Sequence, residues 1–564
     1  MAPSLNGKRY ATELKDYSFR RRETTGPYAD DLDIDALIVG AGFSGIFMLK
    51  TLRDQGFRVV VYEAGTSIGG TWHWNNYPGA RTDSQVIEYE FSWPEVWKDW
   101  TWTTNYPDIG ELRAYFDHVD KVVNVRKDCS FGTVVTGSEF DVEEGKWHVE
   151  TADGRTAKCK YLVIAAGFSS KRYFPDWPGV ESFKGIIQHS SFWQDQITVS
   201  DKRCAVIGTG ASGVQIAQEW APDARSLTVF QRSPNTAIPM RRRDLAPEEQ
   251  NASAKAMYPY LFKLRETTIG GMLYGPTEHG TFDDNPEERK RFFQSLWEAG
   301  GLKFWLGGYK DLFCSAEASK EAYAFWVQKV RPRVKDPRKR DILAPLEAPY
   351  YFGMKRPSLE NNFYEQFNRE NVDVVDVSNN QIIEFTETGL VLQDGTHHEL
   401  DVVAVATGFD ITTGGLTNMG IRSINGTALE DEWKKAANTY LGMTIHGYPN
   451  MFHIYGAHGP TSVANGPTAM EVQGRWIGAC IRKIERDLDI KYINPTLEAT
   501  RKWKAHINEL SKERLFATTR STYMGGSVPG KAFEQVNYVG GVPEYKKEIW
   551  AALDSWEGFE LVGR

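Results

Sequence analysis

Two glycine-rich runs have the spacing to hold a diphosphate against a polypeptide backbone: Gly40, Ala41, Gly42, Phe43, Ser44, Gly45 and Gly208, Thr209, Gly210, Ala211, Ser212, Gly213. In a GxGxxG turn the first glycine permits a sharp bend, the second lets the pyrophosphate approach the backbone, and the third lets helix pack on strand. The unpaired N–H groups at the helix start then face the anion. A lone run of this kind says little, because glycine turns follow many strands. Here each run has a buried strand before it (Asp35 to Val39; Arg203 to Ile207), a helix after it (Ile46 to Gln55; Val214 towards Trp220) and a second strand beyond (Arg58 to Tyr62; Ser226 to Phe230). The sequence therefore contains two βαβ dinucleotide units.

The residue at the end of each second strand separates their ligands. Eighteen residues after Gly45 stands Glu63, followed by Ala64, an acid suited to accept hydrogen bonds from both ribose hydroxyls of an unphosphorylated adenosine. Eighteen residues after Gly213 stands Gln231, followed by Arg232 and Ser233. An acid there would repel a 2′-phosphate, whereas a guanidinium pairs with it, although a surface salt bridge would also account for Arg232. The first site is assigned to FAD and the second to NADPH, with Gln215 on the second helix among its contacts. Electrons then run from NADPH to flavin. A disulfide reductase would need paired cysteines, and Cys129, Cys159, Cys204, Cys314 and Cys480 are widely spaced with no CxxC. Oxygen, a quinone or a protein acceptor remain.

The elements that must position these turns give an α/β fold: two Rossmann-like dinucleotide-binding domains with a helical insertion in the second. Two further strands, Lys160 to Ala166 and Asp401 to Ala406, each run into a small-residue turn ending in glycine. These turns, Gly167 in one and Thr407-Gly408 in the other, are expected beside a bound dinucleotide. Between about 236 and 345 the pattern becomes helical, for example over Pro286 to Ala299 and Ala316 to Val330. The expected organisation is an N-terminal extension (1–33), a first part of the FAD domain (34–178), an NADPH domain (179–384) carrying the insertion, and a second part of the FAD domain with the C-terminal segment (385–564). The aromatic stretch Tyr89, Phe91, Trp93, Trp97, Trp100 and Trp102 reads as packing between the flavin domain and its neighbours.

Composition narrows the classes. Lys and Arg number 66 against 74 Asp and Glu, a formal charge of −8, the wrong sign for a protein held by nucleic-acid phosphates. The longest uncharged apolar run, Ala36 to Leu49, has fourteen residues where a membrane span needs about 20, so no transmembrane helix is predicted. The N-terminus lacks the apolar stretch of a secretory signal and contains Glu13 and Asp16. With unpaired cysteines this predicts a cytoplasmic protein. No HExxH or clustered Cys/His spacing occurs, His397 and His398 fall in a predicted turn, and no metal site is expected.

Between the two turns, Phe183, Gly185, His189 and Trp193 match the fingerprint FxGxxxHxxxW. After the first turn stand Gly69, Gly70, Thr71, Trp72, then Tyr77, Pro78, Gly79 and Asp83. By these residues the chain resembles the Baeyer–Villiger monooxygenases, within the single-chain flavoprotein monooxygenases, over nearly its whole length after residue 34. Related enzymes that oxygenate amines or sulfides usually carry Tyr where Trp193 stands. Two positions depart from the family pattern: Gln194, where Pro or Asp usually follows the fingerprint, and Thr522, where a Trp precedes the C-terminal G-A-N-x-P-G-K turn.

The resemblance implies an NADPH- and O2-dependent monooxygenase that inserts one oxygen beside a ketone carbonyl, giving an ester or lactone through a flavin peroxide and a tetrahedral adduct. It makes Arg356 the catalytic cation, Asp83 the acid that orients it, and Lys355 a partner of the NADPH 2′-phosphate. Without it, Lys355 and Arg356 read as a surface basic pair and Asp83 as a loop cap. It also makes Gly70, Thr71, Trp72 and Tyr77 cofactor contacts. His189 and Trp193, in the stretch joining the domains, couple domain movement to catalysis or simply pack. The loop containing Thr461, Ser462, Val463, Ala464 and Asn465 should line the substrate pocket. The expected partners are a small ketone and O2, with the protein a monomer or weak homo-oligomer. Two rival functions remain: oxygenation of amines or sulfides only, and a redox-sensing flavoprotein without catalysis.

Overall fold

The computed structural model describes residues 31–193, 197–487, 489–526 and 528–563. Most of the expected N-terminal extension, and Gln194 with Asp195, lie outside the described residues. The chain enters β1 (Leu32–Val39), turns through the first glycine run into α1 (Phe43–Arg53) and returns as β2 (Val59–Glu63). It continues through α2 (Ile109–Val123), β3 (Cys129–Phe131), β4 (Val135–Asp141), β5 (Lys146–Thr151) and β6 (Thr156–Ile164). The second unit comprises β7 (Ile186–His189), β8 (Arg203–Ile207), α3 (Ala211–Trp220) and β9 (Ser226–Gln231). After it come the insertion helices α4 (Tyr258–Arg265), α5 (Pro286–Ala299) and α6 (Ala316–Val330), then β10 (Val372–Asp376), β11 (Val402–Val405), β12 (Met451–His453) and the long α7 (Gly466–Arg486).

The first sheet has the order β3-β2-β1-β6-β5-β4, parallel from β3 to β6 and antiparallel beyond. β6 changes partner halfway: its first residues pair with β5, and Leu162–Ile164 pair with β12. The second sheet is wholly parallel, β10-β9-β8-β11-β7. This corrects the expected boundary at 385, because β11 lies inside the second sheet, between β8 and β7, and the chain rejoins the first only afterwards, bridging Ser138 of β4 at Ile421 and then adding β12. The physical cause is the glycine turn. A Cβ on Gly40 would stand 2.5 Å from the Ala165 carbonyl oxygen, and one on Gly208 2.5 Å from that of Ala406, with φ of +108° and +106°. Each turn thus needs its own returning strand, β6 in one sheet and β11 in the other. His397, read as part of a turn, begins a short strand, His397–Glu399, in a three-stranded antiparallel sheet with Gly389–Leu392 and Ile382–Thr386.

α1 is apolar nearly all round and is buried between the first sheet and α7. Glycines on α7 let the helices approach: a Cβ at Gly474 would lie 2.5 Å from the Phe47 ring and one at Gly478 2.6 Å from Thr51. In the insertion, α5 begins with a capping box in which Asn285 accepts the N–H groups of Glu287 and Glu288 and Glu288 accepts that of Asn285; Ser315 caps α6. Both helices run between the residues predicted. The aromatic stretch packs as expected, with Phe91 stacked on Trp93 (4.4 Å) and Trp97 against Phe262 of α4 (6.4 Å).

Buried charge fastens the insertion to the first domain. Arg265, at the end of α4, donates to the carbonyls of Glu88 and Glu90 (3.0 and 3.1 Å) and pairs with Glu471 of α7 (3.0 Å). This fixes the segment that follows Asp83. Burial pushes the Glu88 carboxyl up to about 7 and the Glu90 carboxyl up to about 8, against the pull of the Leu273 N–H on Glu88 and of Arg265 on both. Acids whose folded values exceed the unfolded one contribute stability below about pH 4.5 that is lost as pH rises through 7 and 8. The melting temperature should therefore fall between pH 6 and pH 9, and Glu90→Gln should flatten that fall and raise stability at pH 9. An unchanged slope in the variant would contradict this.

Candidate active site

The first cradle is the N-terminus of α1. Gly42 occupies the cap position without a side-chain cap, so the first N–H groups of the helix have no acceptor from their own cap. Gly70 crosses this turn so closely that a Cβ on it would lie 2.8 Å from the Gly42 Cα. Thr71 and Trp72 open the following helical turn, and the Trp72 indole donates to the Tyr89 hydroxyl at 3.1 Å. Glu63, read as a ribose acceptor, also holds the turn itself: Oε2 accepts the Ala41 N–H (2.7 Å) and Oε1 the Gly65 N–H (2.6 Å). Ala64 is half-buried beside it. Two glycines in contact, an uncapped helix start of eleven residues and a buried acid at the end of β2 suit an adenosine diphosphate, and they fit FAD.

The second cradle repeats this geometry at α3, again uncapped, with Gly210 at the cap position. Nothing lies within 4 Å of a Cβ built on Gly210, leaving the open space a phosphate needs. Thr209 donates to the Ser233 carbonyl (3.0 Å), and Gln231 is turned inward, donating to the Ile342 carbonyl (2.7 Å). Arg232 is exposed. Lys355 lies over the Tyr350 ring (4.7 Å), and burial, then the charge of Arg232, bring its ammonium down to about 8. Two cations close enough to depress one of them fit a phosphorylated nucleotide such as NADPH. Thr407 donates to the Tyr173 carbonyl (2.6 Å), anchoring the turn that ends at Gly408. Tyr77 and Gln215 bond each other (2.8 Å), joining the first domain to α3.

Arg356 joins the domains. Its Nε and Nη2 donate to the two oxygens of Asp83 (2.7 and 2.9 Å), and Nη1 donates to the Ser462 carbonyl (3.2 Å). Burial draws the guanidinium pKa down, but the Asp83 carboxylate outweighs it and holds the group well above its ordinary value. The side chain keeps 27% of its surface accessible. Around the pair stand Tyr89, Tyr274, Tyr455 and Tyr523, each coupled electrostatically to both Arg356 and Asp83 and each pushed up by burial, so all four are neutral phenols.

The predicted pocket loop is held more than it is open. Thr461 donates to the Gly456 carbonyl (2.6 Å), the Ser462 N–H donates to Asn537 (3.1 Å), Ala464 is buried, and Asn465 caps α7 by accepting the Thr468 N–H (3.1 Å). Only the Ser462 carbonyl reaches the guanidinium; Val463 is half-buried. In the fingerprint, Phe183 packs on Phe385 (5.7 Å), and a Cβ on Gly185 would lie 2.4 Å from the Asp401 carbonyl oxygen. His189 ends edge strand β7, so it belongs to the second sheet and not to a joining stretch. Its ring bonds the Gly408 carbonyl oxygen (3.1 Å), and burial followed by the charge of Arg172 brings it down to about 3, leaving it neutral. Trp193 lies 5.6 Å from Trp220 of α3.

Three neighbours of Arg356 escape sequence reasoning. Trp305 and Tyr274 come from the insertion, where no motif marks them. Tyr523 stands beside the departure at Thr522, whereas Tyr455 opens the loop expected to line the pocket. Tyr523 is fully buried, with no hydrogen-bond partner for its hydroxyl among the described residues. Lys531 of the C-terminal turn pairs with Asp410 (2.9 Å) and donates to Thr413 (2.9 Å), tying that turn to the segment after β11. Among the described residues one His/Asp/Glu group could hold a cation, Asp141, Glu144 and His148 on the β4–β5 hairpin; Glu144 is paired with Lys158 (2.9 Å). No described helix is long and apolar enough to cross a membrane.

Two dinucleotide cradles on one chain, one fitting FAD and the other NADPH, define a nicotinamide-dependent flavoprotein. A family model described as pyridine nucleotide-disulphide oxidoreductase matches residues 34–256; the five cysteines of the chain are all free. The chain is 54% identical to the FAD-binding monooxygenase acrE of Aspergillus aculeatus over 98% of its own length and 92% of that protein. It is 37% identical to cyclopentanone 1,2-monooxygenase of a Comamonas species, covering 94% and 96% of the two chains. The closed crystal structure of cyclohexanone monooxygenase superposes with a TM-score of 0.90 at 33% identity, over 95% of this chain and all of the other. The chain belongs to the Baeyer–Villiger monooxygenase family of flavin-dependent oxidoreductases.

Proposed function

We propose that this protein uses FAD, NADPH and O2 to insert one oxygen atom beside a ketone carbonyl, giving an ester or lactone, with Arg356 as the catalytic cation and Asp83 as the residue that aims it. The observation that carries this is the two-point ion pair between them, made across 273 residues of the chain. A half-buried ion pair of this kind contributes little net stability, because desolvation and solvent screening offset the attraction. Its retention is better explained by positioning.

Bound FAD, once reduced by NADPH, supplies the activation of oxygen. The α1 N-terminus and Glu63 would hold its adenosine half; the α3 N-terminus, Arg232 and Lys355 would hold NADPH. Attack on a carbonyl carbon puts negative charge on oxygen, and that charge needs a fixed partner. A guanidinium has five N–H donors; Asp83 and Ser462 engage three, and two remain for that charge. Held protonated by Asp83, Arg356 acts through fixed charge and not by giving up a proton. Tyr523, the fully buried phenol of the four, offers its hydroxyl as a further donor. Ketones as the substrate class are supported by the relatives' names. Five cysteines with no disulfide suit a cytoplasmic protein, working as a monomer or weak homo-oligomer.

Incubation with NADPH, O2 and a panel of cyclic and linear ketones, with products read by mass, tests this reading. Esters or lactones formed in proportion to NADPH consumed are expected. Oxidised sulfides with no ester from any ketone would replace it with amine or sulfide oxygenation, and NADPH oxidation with no oxygenated product would leave a redox sensor.

A further inference from the structure

We propose that Trp305, contributed by the helical insertion, is the positioning residue that keeps the plane of the Arg356 guanidinium fixed during ester formation. The proposal rests on the reading of Arg356 as the catalytic cation. Trp305 sits in a single helical turn, Lys303–Leu306, between α5 and α6, and is 1% exposed. Its indole N–H donates to the Gly353 carbonyl at 3.2 Å, and the Arg356 guanidinium carbon lies 5.4 Å from the ring centroid. Gly353 has a φ of +83°, and a Cβ there would lie 2.8 Å from the indole Cδ1 and Nε1. The indole therefore fixes both ends of the segment from Gly353 to Arg356: backbone at one end, side chain at the other. Phe313 packs against it edge-on at 6.0 Å, so the ring itself is braced.

The need for such a residue follows from the other contacts. Asp83 and the Ser462 carbonyl accept hydrogen bonds along the edges of the guanidinium, where its N–H groups point. Edge contacts set where those groups aim but resist rocking out of plane only weakly, because a hydrogen bond tolerates a broad angle at its acceptor. A ring under the face opposes that rocking, and the attraction between cation and aromatic face grows where water is removed. Three parts of the chain thus meet on one cation: the loop bearing Asp83, the loop before α7 and the insertion. The insertion supplies the one aromatic face recorded against Arg356 among the described residues.

Trp305→Leu removes the face and the Gly353 bond. Ester turnover should fall about tenfold, a rate change that lies between the values of an exposed and a fully desolvated cation–π contact. The ketone KM and the rate of flavin reduction by NADPH should stay within about twofold, while hydrogen peroxide released per NADPH rises. Trp305→Phe keeps a ring and should lie within about threefold of the unsubstituted protein. In an Arg356→Lys background, Trp305→Leu should have no further effect on turnover, since the planar group it steadies is gone. If leucine prevents folding, Trp305→Met provides the same ring-free comparison with an adaptable side chain.

A ring-free variant that couples NADPH to ester as the unsubstituted protein does, or a phenylalanine variant no better than leucine, overturns the proposal. A loss that is equal in the Arg356→Lys background does so too. Arg356→Ala measured alongside separates the two levels: ester from that variant at full rate would overturn the catalytic assignment itself, whatever Trp305 does.

Discussion

Arg356→Ala should lower ester formation at least about a hundredfold to a thousandfold, the range for loss of one preorganised oxyanion donor, while NADPH still reduces the flavin measurably. Two effects reinforce each other. The charge that develops on oxygen loses its fixed partner, and the Asp83 carboxylate, matched to Arg356 at 2.7 and 2.9 Å, is left as an uncompensated negative charge facing the same reaction. NADPH consumption should continue with its electrons released as hydrogen peroxide. Arg356→Lys should recover little, because an ammonium cannot meet both Asp83 oxygens and the Ser462 carbonyl from one plane. Asp83→Asn should fall between Arg356→Lys and the unsubstituted protein, since it keeps the guanidinium and loses only its orientation. Ester by mass, set against NADPH and peroxide by absorbance, reads all three; ester at the unsubstituted rate from Arg356→Ala would falsify the assignment.

What the sequence makes legible follows from range. The two glycine runs and their flanking strands are local patterns, as are the Asn285 and Ser315 caps, so α5 and α6 fall where predicted and each βαβ unit is where periodicity puts it. The start of α1 lies three residues earlier than the apolar pattern suggests, at Phe43, because the glycine turn itself feeds the helix. Sheet membership is not local. β11 reads as a buried strand whichever sheet it joins, and only the closeness of Ala406 to Gly208 decides for the second.

The same limit governs the site. Arg356, Asp83 and Lys355 can be named because they match a family pattern, and no property of a Lys-Arg pair separates it from a solvated face. Ser462 enters through its backbone carbonyl, which no side-chain reading can weigh. His189 is fixed by a bond to a carbonyl beyond β11, and Glu63 spends both oxygens on backbone N–H groups close to it in space. Trp305 is invisible because the insertion has no motif of its own, and its meeting with Arg356 is made wholly by the packing of α5 and α6 against the second sheet. Residues that act by touching another side chain across the fold leave no mark on spacing.

The affinity for NADP+ should weaken as pH rises above about 8, and that dependence should belong to Lys355. In the protein without nucleotide, burial and the charge of Arg232 hold this ammonium down to about 8. A 2′-phosphate set between the two cations reverses the balance, because the dianion stabilises the charged lysine more than Arg232 destabilises it. Binding then raises the lysine pKa, and by linkage the complex takes up a proton whenever binding occurs above pH 8. The apparent Kd should increase up to about tenfold per pH unit from there until the pKa of the complex is passed. The phosphate does not share in this slope, since its own second ionisation lies near pH 6. NAD+, which lacks the phosphate, should bind with no such slope. Lys355→Met should abolish the slope and cut the preference for NADP+ over NAD+ by about tenfold to a hundredfold, the value of one charge-assisted contact. Arg232→Ala should instead move the slope to higher pH, because the neighbour that depresses Lys355 is gone. Titrations of each nucleotide between pH 7 and pH 9.5 decide the matter: a slope that survives Lys355→Met, or one of equal size for NAD+, assigns the proton elsewhere.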